Sequence, residues 1–193
     1  MNDIRRIRTA AACLVAGLLC LGGLWVFAAD YERIEAIAQG QGTQMRIRQN
    51  VSIIIYEFST DEDQKALKEA FAAAGQKGLF NAVSKMQSHG RIALSGTLGY
   101  DINYIKEFQT PEGRKIRMIT DRLIRFGEAW GDTRSKEYEL SAFEIILGPD
   151  KDSSSGMLFP RIKLQLDEKT NEVVLKAFEN PFKLLNIIDY PAK

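Results

Sequence analysis

Two hydrophobic periods alternate along residues 29–193. From Met45 to Phe58 the side chains divide by parity, with Met45, Ile47, Val51, Ile53 and Ile55 on one face and Arg46, Arg48, Asn50 and Ser52 on the other. A period of two with β-branched enrichment predicts a strand, bent near Gln49-Asn50. A weaker strand over Glu32–Ala38 precedes it, joined by Gln39-Gly40-Gln41-Gly42.

The period then lengthens. Thr60 is placed to cap a helix, with Asp63 three residues on to complete a capping box and Asp61, Glu62 and Asp63 at the positive end of the helix dipole. Leu67, Ala70, Phe71 and Ala74 follow at helical spacing, and Gly75 is a stop. Leu79, Phe80, Val83 and Met86 predict a second short helix to about Ser88, ended by His89-Gly90.

From Arg91 the period returns to two. Tyr100, Ile102, Tyr104 and Phe108 line one face of a strand opposite Asp101, Asn103, Glu107 and Gln109. Thr110-Pro111-Glu112-Gly113 is a hairpin turn, because Pro111 presets one dihedral and Gly113 accepts a positive one. Arg114–Thr120 returns antiparallel, and Phe143, Ile145 and Leu147 form the core face of the next strand. Gly148–Gly156 reads as a loop. Leu158, Ile162, Leu164 and Leu166 then share a face, followed by strands at Glu172–Glu179 and Lys183–Asp189.

Short connections favour a meander, since parallel crossovers need more helix than the chain contains. The expectation is an α+β domain, mainly an antiparallel β meander of about eight strands with one inserted helix pair at about residues 60–88. A curled sheet or partial barrel and a sandwich satisfy the alternation equally.

Residues 1–28 have a different character. Arg5, Arg6 and Arg8 lead into the uncharged run Ala10–Ala29, which ends Val26-Phe27-Ala28-Ala29 before Asp30. A cationic head, an apolar middle and a small-residue exit are the parts of a secretory signal cleaved after Ala28. The competing reading is an uncleaved inner-membrane anchor over residues 10–29, because twenty uncharged residues can span a bilayer. A lipidated Cys20 fits less well, since Leu18-Leu19 are bulky. The expected location is exported, periplasmic or secreted, with 29–193 as a single β-rich domain.

Composition narrows the chemistry. Three of the 26 Lys and Arg and one of the 25 Asp and Glu fall in the leader, so the remainder is near neutral, which argues against nucleic acid or an anionic membrane as partner. Membrane contact is expected only through the leader, if it is retained. Both cysteines, Cys13 and Cys20, also lie in the leader. Residues 29–193 therefore have no disulfide, thiolate metal site or cysteine nucleophile.

Each candidate for chemistry has a plainer explanation. The sole histidine, His89, could join Ser84 or Ser88 in a hydrolase triad, but no Gly-x-Ser-x-Gly turn is present and capping of a helix end accounts for it. Asp150–Gly156 begins like a calcium loop, yet Ser155 stands where glycine belongs and Arg161 where a bidentate glutamate belongs. Asp61, Glu62 and Asp63 are explained by the helix start. Arg114, Lys115, Arg117, Arg122 and Arg125, with Phe126 and Trp130, form the one basic-aromatic cluster, suited to an acidic glycan or simply a polar strand face. Tyr100, Tyr104 and Phe108 would line an apolar cavity if the sheet closes.

The segments Phe58–Asp63, Leu98–Tyr104, Thr120–Glu128 and Phe143–Leu147 resemble an uncharacterised family of exported bacterial proteins. That resemblance implies export and a β-rich fold, and it brings no activity or site residue. The expected function is thus an exported, non-catalytic domain that binds an envelope or extracellular partner or supports the envelope, without cofactor, metal or catalytic residue. The alternatives are a carrier of a small apolar ligand in a closed sheet, and a hydrolase with dispersed carboxylates.

Overall fold

The computed structural model describes residues 30–126, 140–166, 173–177 and 180–192. The leader and anchor segments, which lie within residues 1–29, and Trp130 fall outside the described residues. The strands are β1 (Glu32–Gln39), β2 (Arg48–Ile55), β3 (Gly90–Leu94), β4 (Tyr100–Ile102), β5 (Tyr104–Thr110), β6 (Gly113–Thr120), β7 (Leu140–Leu147), β8 (Ser155–Leu166), β9 (Val173–Ala177) and β10 (Phe182–Tyr190), with helix α1 (Asp61–Val83) after β2. They form one antiparallel sheet in the order β4-β3-β2-β1-β10-β8-β7-β6-β5, with β9 also on β8.

The sheet curls until its two ends nearly meet, so the barrel-like form holds and the sandwich does not. One bent run of chain brings the ends together. β4 pairs with β3 and β5 with β6, and only Asn103 separates β4 from β5. The Asn103 amide donates to the Ile119 carbonyl (3.0 Å), and its side-chain oxygen accepts from the Asp121 amide (3.2 Å). The stretch after β2 fills the remaining gap: Ser59 N donates to Ile105 O (2.7 Å), and Ile105 N to Ser59 Oγ (2.9 Å).

Ten strands stand where about eight were expected. Gly90–Leu94 is a separate strand too short to stand out by alternation, and the strand expected through Tyr100–Gln109 breaks at Asn103. The break switches faces, so Ile102 and Ile105 enter the barrel interior whereas Tyr104 packs against α1. A second switch occurs in β8. Leu140 pairs with Ile162 and Ala142 with Phe159, which sets Pro160 and Arg161 against Ser141 alone. Proline has no amide to give the ladder, and the bulge accommodates it. Leu158 therefore faces the interior while Ile162 faces the helix, a correction to the single face expected for both. β2 likewise begins at Arg48, leaving Met45 exposed.

The interior is filled by side chains from nearly every strand, including Ile34, Ile53, Ile92, Ile116, Phe143 and Leu158. At one end the chain after β6 turns inward. Ile124, anchored through its amide to Ser141 Oγ (2.9 Å), and Phe126 enter the core, where Phe126 stacks on Phe182 at 4.0 Å between centroids. This aromatic plug seals that end.

The helical region is one span, Asp61–Val83, divided by a kink at the expected stop Gly75, and it ends at Val83 rather than Ser88. Ala74 and Gly75 interrupt it, with Gly75 at φ 57°, the left-handed conformation glycine tolerates. Leu67, Leu79 and Val83 pack on the outer wall against Ile119, Leu140, Ala142 and Ile162. The start is as read from the sequence: Thr60 Oγ1 accepts from the Asp63 amide (3.2 Å), and the Thr60 amide donates to Asp63 Oδ2 (2.7 Å). Thr60→Ala should lower the unfolding free energy by about 1 kcal/mol in urea titration.

Candidate functional site

The end of the barrel opposite the plug is ionic. On β1, Glu32 shares parity with the inward Ile34, Ala36 and Ala38; on β6, Arg114 shares parity with Ile116 and Met118. On β5, Glu107 follows the inward Ile105 by two. The strands thus carry charged residues into the mouth on the faces that are apolar farther in. Arg114 donates through both terminal nitrogens to Glu32 (2.8 and 2.6 Å) and through Nε to Glu107 (2.7 Å). Asp189 of β10 lies 3.8 Å from Arg114 Nη1, and Phe58 lies under the guanidinium at 5.6 Å.

Burial disfavours the charge on Arg114, but its hydrogen bonds to Glu32 and then Glu107 outweigh it and raise its proton affinity. Asp189 shifts unusually for a carboxyl. Burial and then repulsion from Glu32 push it up to about 6, against the pull of Arg114. Its Oδ1 is buried and has no hydrogen-bond donor among the described residues.

Beside this mouth the barrel wall has a seam. β10 pairs with β8 only at Phe182↔Leu158, Lys183↔Met157 and Leu184↔Gly156. From Leu185 to Tyr190, pairing among the described strands is to β1 alone, through a register shift near Asn186, whose φ is 52°. A groove of about 500 Å³ follows the seam, lined by Lys115, Ile146, Met157, Leu184, Leu185 and Ile187 among others. A second, of about 540 Å³, lies on the other side of Asn186 over β1, β2 and β3.

The sequence candidates are dispersed across this frame. His89 is buried, but not at the end of α1, because pairing of β3 with β2 carries it back beside the helix start. Its carbonyl accepts from the Tyr56 and Glu57 amides (2.9 and 3.2 Å). Its ring lies 3.3 Å from Glu57 Oε1 and 3.9 Å from Asp63 Oδ2. Ser88 Oγ instead donates to the Gly90 carbonyl (2.8 Å), and the buried Ser84 Oγ has no partner among the described residues.

In the Asp150–Gly156 stretch the oxygens hold a turn. Ser153 Oγ donates to the Asp150 carbonyl (2.7 Å), and Ser154 Oγ accepts from the Gly148 amide (3.2 Å). Asp63 is spent on the helix cap. Asp61, whose affinity for a proton is lowered by its hydrogen bond from Lys106, meets that lysine at 2.6 Å. Among the described residues no three or more His, Cys, Asp or Glu are grouped to hold a metal ion.

Strand alternation divides the basic cluster. Arg114 enters the mouth, whereas Lys115 and Arg117 meet Glu144 on the outer wall (3.3 and 2.6 Å), and Arg122 is exposed near Asp121. Phe126 belongs to the plug. Tyr104 packs under α1, and Phe108 lies beneath Arg117, so neither faces the filled interior.

The ionic mouth escaped the sequence reading because its four residues come from four strands and Arg114 stands 82 positions from Glu32. Its one local signal is parity, a charge standing two residues before a run of inward aliphatics. Among the described residues no helix is long and apolar enough to cross a membrane. No protein-family model, curated protein or solved structure matches the chain.

Proposed function

We propose that the protein is an exported, non-catalytic domain that binds an envelope or extracellular partner through the outer wall of its barrel. The observation that carries this reading is the occupation of the interior from both ends, by the Phe126–Phe182 stack and by the Arg114 cluster, while open grooves flank Asn186 outside. Contact with a partner then falls to the wall. The seam groove supplies the usual ingredients of a recognition patch: apolar Met157, Ile146 and Leu185, the last 38% exposed, beside the polar Lys115 and Asp152. The resemblance to exported proteins supports the address and adds no activity.

A photo-crosslinking residue at Leu185, in protein made with its full leader in its own host, should yield a discrete adduct. The same residue at exposed Lys65 on α1 should not. Equal labelling at both positions, or none at either, would overturn the reading. The carrier alternative requires co-purified lipid in a native mass spectrum of the same preparation.

A further inference from the structure

We propose that Asp189 is a proton-operated latch that holds the last six residues of β10 against the barrel mouth and frees them when it ionises. The argument begins with a mismatch in the cluster. Three carboxylates, Glu32 from β1, Glu107 from β5 and Asp189 from β10, share the single guanidinium of Arg114 from β6. Glu32 takes both terminal nitrogens and Glu107 takes Nε. Asp189 is left at 3.8 Å from a nitrogen already engaged, with Oδ1 buried and no donor to satisfy it. An ionised carboxylate there is both repelled and under-bonded.

A protonated one is neither, because it gains a hydrogen bond to the Glu32 carboxylate that only a carboxyl carrying its proton can make. Asp152, from the turn Lys151–Ser153 packed on β10, lines the seam groove on the outer side together with Lys115 and Lys183. Lys183 stands six residues before Asp189 on β10 and is exposed.

The backbone around Asp189 is built to respond. β8 supports β10 only as far as Leu184, and Asn186 with its positive φ interrupts the ladder to β1 just beyond. Leu185–Tyr190 is therefore held by one ladder, by burial of Ile187, by the contact of Tyr190 with Arg33 and by the interactions of Asp189. Lifting it would widen the seam groove and uncover Leu184 and Ile187, which are otherwise buried.

The direction follows from linkage. With Asp189 raised from 3.8 to about 6, the held state binds the proton more tightly than the released state. The latch is fully engaged below the released-state value and weakens as pH rises through about 6. The full swing is about a hundredfold in the held-to-released ratio.

Amide hydrogen exchange of the full-length protein at pH 5 and pH 7.5, corrected for intrinsic exchange, tests this. Protection of residues 185–190 should fall by about tenfold between the two pH values, while that of β6 and β7 stays constant. Asp189→Asn, neutral throughout and able to donate to Glu32, should keep the segment protected at both. Asp189→Ala should leave it weakly protected at both. A wild-type profile independent of pH, or an Asp189→Asn profile that follows the wild type, would overturn the proposal. Neither outcome bears on whether the groove binds a partner.

Discussion

Replacing Arg114 by methionine should cost about 3–5 kcal/mol of unfolding free energy at neutral pH, the largest loss from any single change in the barrel mouth. Methionine keeps most of the volume but removes the cation that, among the described residues, three carboxylates share. Glu32 suffers most, because its side chain is only 8% exposed and both its oxygens bond to Arg114. Left behind, these carboxylates hold protons more tightly in the folded state than in the unfolded chain. The deficit should therefore be greatest above neutral pH and shrink as acid neutralises them.

Urea titrations of Arg114→Met at pH 5 and pH 8 separate this from a packing defect, which would cost the same at both. The double variant Arg114→Met with Glu32→Gln should recover part of the loss, because the stranded buried charge is then absent. No recovery would mean that the arginine acts through its contact with Phe58 rather than its charge.

At the opposite end, Phe182→Ala should cost about 3–5 kcal/mol by the same measurement. Phe182 is fully buried, pairs with Leu158 across the β8–β10 ladder and stacks on Phe126. Truncation removes the stack and leaves a void at the plugged end of the core. The loss should be independent of pH, in contrast to Arg114→Met. A cost below about 1 kcal/mol would mean that the plug is not packed as described.

The parts of this fold legible in the sequence were those whose cause is local. The Thr60–Asp63 box, the Thr110–Gly113 turn and the alternation in β1 each depend on residues within a few positions of one another. The breaks were not legible. Ile102 and Tyr104 are both large and apolar, so the pattern runs unbroken through Asn103, and only the bond to Ile119 shows that the chain turns over there. Pro160 is unsuited to a central ladder, but the change of face in β8 depends on Ser141 opposite it.

The break at Asn103 also hid the ionic mouth. Continuous alternation assigns Glu107 to the solvent side with Asp101 and Asn103. After the switch at Asn103 it points inward with Ile105.

The pairing of Arg33 with Tyr190 sets the beginning and the end of the barrel side by side on neighbouring staves. A tether fastened to either end would thus suspend the domain from one pole, with the ionic mouth nearest the point of attachment and the Phe126 plug turned away. Small changes in the grip of the last stave would then be felt first at the suspension point, where a hanging body is most sensitive to a loosened joint.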